Sequence, residues 1–379
     1  MVYLDYNATS PLHPQVRQRM APFLEEIFGN PSSLHTLGRE AREAIESVRS
    51  QVLAALGDPA GDLIFTSGGT EADNLSLTGI CRAYREKGDH LIVSSVEHHA
   101  VLHPAQALGR EGWRVTILPV DAQGRVDPAV VERAIGPRTV LLSVMQANNE
   151  VGVLQPIQEI GRIARRHGVF FHTDAVQSFG KLPLDVRQMG ADLLSISAHK
   201  LGGPKGVGAL YLRKGIRLAP LLHGGPHERS HRAGTEGVPG IVGMGAAVEV
   251  SLKEVQDGTV RRIERFRDRL EQGLRERIPE IEVNGSTEER LPGTLNVSFL
   301  GCHGETLLMA FDLEGICVST GSACSSGSTE PSHVLVAMGL PPSSIDGSIR
   351  FSLGWGTTEQ EIRECLVKIP PIVKRIRQC

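Results

Sequence analysis

Two side chains in this sequence stand out as candidates for covalent chemistry, one cysteine and one lysine. Cys324 lies in a run rich in glycine and serine between Val318 and Gly327. Such a run favours an exposed loop, and reactive thiols need exposure, whereas structural cysteines are usually buried. Lys200 follows the apolar run Leu193–Ser197 and precedes a Gly-Gly-Pro turn. Most lysines are solvated surface charges, but burial at a strand end lowers a lysine's pKa and permits Schiff-base chemistry.

Two further polar positions suit the binding of a phosphorylated heterocycle. Thr70 lies in Ser67–Glu71, between a short apolar strand and a helix. Free N–H groups at such a helix start bind phosphate. Asp174 follows the apolar strand Val169–His172, and a carboxylate at that end of a strand can hold a protonated ring nitrogen. Each position also suits an ordinary helix N-cap. With Lys200, they form the set of groups that a pyridoxal phosphate enzyme requires.

Other polar residues near strand ends have two explanations each. His98 and His99 follow the strand Leu91–Ser95. They suit either a structural pair or a ring-stacking acid and base that works near neutral pH. Asn149 follows another strand and is either a turn residue or a ligand. Arg350 lies in an alternating strand and is either an exposed charge or the bidentate partner of a substrate carboxylate.

Alternating strand-like and helical segments must position these side chains. Apolar, β-branched runs recur with helical patterns between them, which predicts an α/β fold with a mostly parallel sheet flanked by helices. A single long charged helix is predicted over Ser251–Arg277. The chain has 379 residues, enough for two domains. We predict a large domain of residues 12–255 and a smaller α+β domain of residues 1–11 and 256–379 that carries the Cys324 loop.

Composition argues against several functional classes. The net charge of −3 gives no general attraction to nucleic acid or to anionic membranes. No run approaches the roughly 18 apolar residues of a membrane helix, and the first residues lack the pattern of a signal peptide. Six cysteines at long or irregular intervals fit neither a disulfide framework nor a zinc site. We therefore expect reduced thiols, no metal site and a cytoplasmic location.

Five motifs that follow one another along the chain carry a family resemblance. They are Ser-Gly-x-Thr-Glu at Ser67, Asn-Asn-Glu-x-Gly at Asn148, Thr-Asp-Ala-x-Gln at Thr173, Ser-x-His-Lys at Ser197 and Gly-Ser-Ala-Cys at Gly321. In these motifs the chain resembles cysteine desulfurases of the NifS/IscS type, which are class V aminotransferase-like proteins. The resemblance implies the fold type I of pyridoxal phosphate enzymes, with a sheet of the seven-stranded type in the large domain.

The resemblance also implies a role for each matching residue. Lys200 would carry pyridoxal 5′-phosphate through a Schiff base, Asp174 would pair with the ring nitrogen and Gln177 with the ring hydroxyl. His98 would stack on the ring as acid and base, and Cys324 would accept sulfur. Gly69, Thr70, Ser197 and His199 would bind the phosphate, together with Thr235 from the other subunit of a homodimer. Asn149 would contact both cofactor and substrate, and Arg350 would bind the substrate carboxylate.

The activity implied by this resemblance is the conversion of L-cysteine to L-alanine. Sulfur would pass to Cys324 as a persulfide and then to an acceptor protein. That acceptor would serve iron–sulfur cluster assembly, tRNA thiolation or the synthesis of another thio-cofactor. The glycine and serine residues around Cys324 would let it reach both the substrate and the acceptor. No nucleic acid or membrane partner is expected.

Some positions depart from the family pattern, and two alternatives stay open. The chain ends at Cys379, without the tail that helps family members to dock an iron–sulfur scaffold protein. Pro226 replaces a glycine that is common in the family's glycine-rich loop, and Ala233 replaces a serine beside the expected phosphate ligand Thr235. One alternative is a related class V enzyme, such as a selenocysteine lyase or an aminotransferase. The other is a non-enzymatic iron–sulfur- or metal-binding protein that would use Cys302, Cys317, Cys324 and the histidines.

Overall fold

A computed structural model describes residues 1–320 and 330–378, so the predicted sulfur acceptor Cys324 lies outside the described residues. The strands in chain order are β1 (Val2–Tyr3), β2 (Asp62–Thr66), β3 (His90–Ser94), β4 (Arg114–Leu118), β5 (Thr139–Ser143), β6 (Phe170–Asp174), β7 (Leu193–Ser197), β8 (Gly208–Leu212), β9 (Ile281–Val283), β10 (Thr294–Phe299), β11 (Ile316–Cys317) and β12 (Ser348–Ser352). The helices are α1 (Pro14–Glu25), α2 (Thr36–Ala55), α3 (Gly69–Ala83), α4 (His99–Arg110), α5 (Pro128–Ala134), α6 (Ile157–Arg166), α7 (Val186–Met189), α8 (Val238–Gln256), α9 (Thr259–Arg277), α10 (Gly304–Leu313), α11 (His333–Ala337), α12 (Pro342–Asp346) and α13 (Glu359–Ile376).

The main sheet contains seven strands in the order β2-β8-β7-β6-β5-β3-β4. Neighbouring strands run parallel except around β8, which is antiparallel to both β7 and β2. Strands such as β5 and β7 are buried along their whole length, because helices cover both faces of the sheet. The predicted α/β fold with a mostly parallel, seven-stranded sheet is confirmed.

The parallel strands bring polar residues together at one edge of this sheet. β6 pairs with β7 in parallel, so Asp174 and Ser197 end neighbouring strands that point in the same direction. In open α/β sheets, ligands bind outside the carboxyl ends of the strands. The topology therefore selects this edge as the place for the candidate site.

A second, smaller core is built around the antiparallel sheet β12-β10-β9. The beginning of the chain joins it, because β1 pairs in parallel with β11 and Asp5 forms a bridge to Ser352. Apolar side chains from both ends of the chain fill this core, including Leu4, Leu270, Leu295, Phe311, Phe351 and Ile369. The domain boundaries at residues 11/12 and 255/256 stay a prediction.

The expectation of a single helix over Ser251–Arg277 is wrong. α8 ends at Gln256 and α9 begins at Thr259, so the predicted segment contains the end of one helix and all of the next. Gly258 has a φ of 90°, a left-handed conformation that glycine adopts without steric cost. The Asp257 carboxylate accepts a hydrogen bond from the Thr259 N–H at 2.9 Å, which fixes the turn. Among the described helices, none is long and apolar enough to cross a membrane.

Candidate active site

Lys200 is half-buried at the sheet edge, in a short 3₁₀ turn of residues 198–200 that directly follows β7. Its Nζ donates hydrogen bonds to the backbone carbonyls of Asn7 at 2.6 Å and Ala8 at 2.8 Å. Both partners are acceptors, so Lys200 uses N–H donors toward the beginning of the chain. The amine that the sequence predicts as the Schiff-base group is therefore held by the beginning of the chain.

Residues 5–10, which we call the N-terminal segment, also contact two other predicted site residues. Gln177 Nε2 donates to the same Asn7 carbonyl at 2.9 Å, while Lys181 Nζ donates to Gln177 Oε1 at 3.1 Å. Thr9 Oγ1 lies 3.1 Å from His199 Nδ1. Sequence reasoning gave the residues of the N-terminal segment no role in the site. The missed contacts join residues about 170 to 190 positions apart.

Asp174 is the carboxylate at the end of β6 and is 6% exposed. Its Oδ1 accepts a hydrogen bond from the Val176 N–H at 2.8 Å. Burial raises the pKa of Asp174 to about 6, while the Val176 N–H and the positive charge of Lys200 act in the opposite direction. A cation beside this carboxyl group therefore favours its ionised form, and a protonated ring nitrogen would be such a cation.

Asp174 belongs to a group of buried titratable side chains that we call the sheet-end cluster: Asp73, Glu97, His172 and Asp174. His172 Nε2 lies 3.0 Å from Ser195 Oγ and 3.6 Å from Asp73 Oδ1. Glu97 Oε1 accepts from Ser94 Oγ and from the Met145 N–H. Asp73 Oδ1 and Glu97 Oε2 are buried without a hydrogen-bond partner in the described part of the chain.

Burial keeps most of this cluster uncharged. It raises the pKa of Asp73 well above the ordinary carboxyl range and that of Glu97 to about 8. It lowers the pKa of His172 to about 3, so the imidazole is neutral at pH 7. Sequence reasoning missed Asp73 and Glu97. The available signal was a carboxyl group within the buried face of a helix and another directly after an apolar strand.

His98 is the N-cap residue of α4, and its Nδ1 accepts a hydrogen bond from the Ala100 N–H at 3.1 Å. The neutral ring therefore carries its proton on Nε2. Burial lowers the pKa of His98 to about 4, and the charge of Lys200 lowers it further. The His99 ring lies 6.3 Å away and stacks on His103 at 4.8 Å. The described residues nevertheless contain no group of three or more ligating side chains that could hold a metal ion.

The start of α3 also belongs to the candidate site. The helix begins at Gly69, and no side chain caps its first turn. A Cβ added at Gly69 would lie 2.7 Å from Val176 Cγ2 and 3.7 Å from Ser197 Cβ, so a larger residue would clash here. Thr70 is exposed in the first turn of the helix. Uncapped N–H groups and nearby hydroxyl groups are what a phosphate binds.

These residues fit pyridoxal phosphate. The uncapped first turn of α3 offers donors for a phosphate, and a side chain at Gly68 would project into open space there. Asp174 supplies a buried carboxyl group for a protonated ring nitrogen. Lys200 supplies a primary amine on the strand next to Asp174.

Arg350 lies at the centre of β12 with 1% of its surface exposed. Its Nη1 donates to the Asn149 carbonyl at 3.0 Å and its Nη2 donates to Asp5 Oδ1 at 2.9 Å. The Asn7 side chain donates to the same Asn149 carbonyl at 3.2 Å, which ties this group to the N-terminal segment. We call Asp5, Asn149 and Arg350 the arginine site. The explanation of Arg350 as an exposed strand charge is excluded by its burial.

Thr235 lies apart from these contacts. It is exposed and lines a cavity of about 230 Å³ together with Ser67 and Arg232. Arg232 forms an ion pair with Glu71 in the first turn of α3, at 2.9 Å. Cys324 lies outside the described residues.

Comparisons with known proteins cover almost the whole chain. The family model described as aminotransferase class-V matches residues 2–365. A protein of Dictyoglomus turgidum named cysteine desulfurase IscS is 50% identical over 99% of this chain and 95% of its own length. A protein of the same name from Methanosarcina thermophila is 48% identical over 99% of this chain and 93% of its own length. A solved structure titled NifS-like protein superposes with a TM-score of 0.93 at 38% identity and covers 99% of both chains.

Proposed function

Since this chain belongs to the class V aminotransferase family, we propose that it is a pyridoxal phosphate-dependent cysteine desulfurase that converts L-cysteine to L-alanine. The observation that carries this proposal is the arrangement at the sheet edge. Asp174 ends β6, Lys200 lies in the turn after the neighbouring β7, and the uncapped start of α3 at Gly69 lies against Val176 and Ser197. The similarity to relatives named cysteine desulfurase along nearly their full length supports the choice of substrate.

The residues that would hold the cofactor lie at the ends of the parallel strands and at the start of α3. Lys200 would bind its aldehyde, Asp174 its ring nitrogen and Gln177 its ring hydroxyl, while His98 would stack on the ring. The phosphate would be bound by Gly69, Thr70, Ser197 and His199. When bound, the group withdraws electrons from an amino acid attached to it, so that the Cα proton becomes acidic and the sulfur can leave.

The proton transfers fall to Lys200 and His98. A Lys200 amine that is not bonded to the cofactor is held in place by the carbonyls of Asn7 and Ala8. It can give a proton back to the substrate carbon from this position. His98 is neutral and keeps its Nδ1 occupied by the Ala100 N–H, so Nε2 is the atom that exchanges protons.

Arg350 would hold the substrate carboxylate, assisted by Asn149. Its Nε–H is buried and has no hydrogen-bond partner in the described residues, although buried donors are nearly always paired. A carboxylate at this edge would satisfy the donor and would form the bidentate contact that guanidinium groups favour.

The sulfur step needs no external oxidant. The Cβ–S bond of the substrate breaks, its electron pair stays on carbon, and that carbon gains a proton to become the methyl group of alanine. The sulfur atom binds to the Cys324 thiolate as a persulfide. A thiol of an acceptor protein, for iron–sulfur cluster assembly or another thiolation, would then take up this sulfur.

The test is turnover of L-cysteine by the pyridoxal phosphate-loaded protein. We expect one alanine for each sulfur transferred and a persulfide label on the protein. The Cys324→Ser variant should lose the label while it retains the absorbance of the bound cofactor. A protein that takes up no pyridoxal phosphate would overturn the proposal. A label that persists in Cys324→Ser would overturn the assignment of the sulfur acceptor.

We further propose that the enzyme works as a homodimer in the cytoplasm, with Thr235 of each subunit at the phosphate of the other. Large apolar side chains on the surface support a second copy, since Phe28 is 76% and Leu34 is 90% exposed. The unpaired thiols of four described cysteines support a reducing compartment.

The test for the shared site mixes two inactive variants, Lys200→Ala and Thr235→Ala. If Thr235 acts on the partner's site, a mixed dimer contains one site with both native residues and regains activity. If Thr235 acts within its own subunit, no site of the mixed dimer is native, and the mixture stays as inactive as its components.

A further inference from the structure

Asp5 forms an ion pair with Arg350 that none of the motifs predicted. The two residues are 345 positions apart, and Asp5 Oδ1 accepts from Arg350 Nη2 at 2.9 Å. The main chain holds Asp5 in place, because the Ser352 N–H donates to Leu4 O at 2.7 Å and the Tyr6 N–H donates to Ser352 O at 3.1 Å. The carboxylate is therefore fixed beside β12 by hydrogen bonds that do not involve its own side chain.

The hydrogen bonds of Arg350 leave one edge of the guanidinium for a ligand. Nη1 is bound to the Asn149 carbonyl and Nη2 to Asp5, whereas Nε has no partner among the described residues. A guanidinium held at two of its nitrogens cannot rotate, so its third N–H has a fixed direction. An arginine without these contacts would have several rotamers to lose on binding a substrate.

Charge supports the same contact. Burial and the positive charges of Lys200 and Arg350 lower the pKa of Lys181 to about 7, so Arg350 lies near other cationic groups. Glu150, in a turn that follows β5, also interacts with Arg350, but burial raises its pKa to about 7, against the effect of Arg350, and its Oε2 accepts a hydrogen bond from Ser332 Oγ. Asp5 is the carboxylate that bonds directly to the guanidinium.

We propose that Asp5 is a positioning residue for the substrate: it orients Arg350 so that the Nε–H edge faces the carboxylate of the bound amino acid. The proposal rests on the proposed function, because it assigns the same substrate carboxylate to Arg350. Asp5 itself does not touch the substrate. Its effect is therefore expected on ligands that carry a carboxylate and not on ligands without one.

The experiment compares Asp5→Ala and Asp5→Asn in the cofactor-loaded enzyme. Asp5→Ala removes the acceptor for Nη2, and we expect the KM for L-cysteine to rise roughly tenfold with kcat changed less than about threefold, as for loss of a hydrogen bond to a charged group. Asp5→Asn keeps an acceptor oxygen but loses the negative charge, so we expect its KM to lie between those of the wild type and Asp5→Ala. The exposed Asp312→Ala on α10 is the matched control and should behave as wild type.

Binding of cysteamine, which is cysteine without its carboxylate, separates positioning from a general structural effect. It is measured by the change in cofactor absorbance, alongside L-alanine, which keeps the carboxylate. Asp5→Ala should weaken L-alanine about as much as L-cysteine and leave cysteamine unchanged. Equal losses for all three ligands, or an unchanged KM for L-cysteine, would overturn the proposal.

Two further outcomes of these experiments can be distinguished. If Asp5→Ala does not fold, Asp5→Glu takes its place, because one added methylene displaces the carboxylate while the charge is kept. It should raise the KM for L-cysteine and leave cysteamine binding unchanged. If the wild-type enzyme itself does not convert L-cysteine, the proposed function fails. If the wild type is active and Asp5→Ala or Asp5→Glu matches it, only the role of Asp5 fails.

Discussion

The sheet-end cluster and Arg350 are buried to a similar degree, but their polar groups are accommodated in opposite ways. Asp73, Glu97 and His172 are at most 2% exposed, and burial shifts their pKa values toward the uncharged forms. Arg350 is 1% exposed and is bonded to Asp5 and to a backbone carbonyl. Guanidinium cannot lose its proton in a protein, so pairing is the only way to bury it.

This difference separates two tasks within a single site. Because the groups around Asp174 are uncharged, Asp174 is the main candidate for the negative charge that would pair with a protonated ring nitrogen. The electrostatic field at the ring would then come mainly from this one carboxylate. A permanently charged and oriented arginine suits the binding of a carboxylate. Substitutions in the cluster should therefore alter chemistry and pH response, whereas substitutions in the arginine site should alter substrate affinity.

The largest effect is expected at Lys200. Lys200→Ala removes the amine proposed to carry the cofactor, so alanine production should fall by at least about 10³-fold, as for loss of a covalent catalyst. The Schiff-base absorbance of the cofactor should disappear as well. Lys205→Ala, an exposed lysine five residues further on, is the control and should retain both. Turnover within tenfold of wild type in Lys200→Ala would refute its role.

A smaller effect, confined to affinity, is expected at Arg350. Arg350→Gln removes the charge-assisted contact to the carboxylate, so the KM for L-cysteine should rise about 10- to 100-fold. Steady-state kinetics check this, with thermal unfolding to confirm that the variant folds. The double variant Asp5→Asn with Arg350→Gln also removes the unpaired carboxylate and should recover any lost stability. A fall in kcat without a change in KM would contradict the separation of tasks.

The pH dependence of stability tests the sheet-end cluster. Burial raises the pKa of Glu97 to about 8, so its stabilising effect is fully present below its ordinary pKa of about 4.5 and is lost as the pH rises toward 8. Glu97→Gln should remove this loss. Urea unfolding from pH 6 to 9 should show a fall in unfolding free energy that is smaller by more than about 1 kcal/mol in the variant. The exposed Glu40→Gln is the control. Parallel curves would mean that Glu97 is not buried as a neutral acid.

The smallest effect is expected where the N-terminal segment reaches the sheet. Thr9→Val removes the hydroxyl 3.1 Å from His199 Nδ1 and preserves the shape of the side chain. Loss of one hydrogen bond of about 1 kcal/mol should weaken pyridoxal phosphate binding roughly fivefold. Titration of the cofactor-free protein measures this, and KM for L-cysteine should stay unchanged. A change in KM alone would assign Thr9 to the arginine site instead.

The main sheet could be predicted because its signals are local. Apolar runs such as Leu193–Ser197 mark buried strands, and the rule that ligands bind at the carboxyl ends of strands directs attention to Asp174 and Lys200. The break between α8 and α9 was not predicted. Gly258 is a local signal for it, but the amphipathic pattern continues on both sides of this glycine. The roles of the site residues and of Cys324 stay predictions.

The N-terminal segment could not be predicted in the same way. Its contacts with Lys200 and Arg350 join residues 193 and 345 positions apart. Both acceptors that bind Lys200, the carbonyls of Asn7 and Ala8, are backbone atoms that every residue type possesses. The pattern of side chains in a sequence therefore does not predict such a contact. The buried acids Asp73 and Glu97 are equally hard to foresee, since carboxyl groups on helices and in turns are usually solvated.

The pairing of the N-terminal segment with β12 has a consequence for how the enzyme is made. Asp5 leaves the ribosome among the first residues, but its partners Arg350 and Ser352 are among the last to be synthesised. The fragment translated up to β8 contains Lys200 and Asp174 but not the strand that binds the N-terminal segment beside them. Incomplete chains therefore lack a formed arginine site, which is completed only at the end of translation.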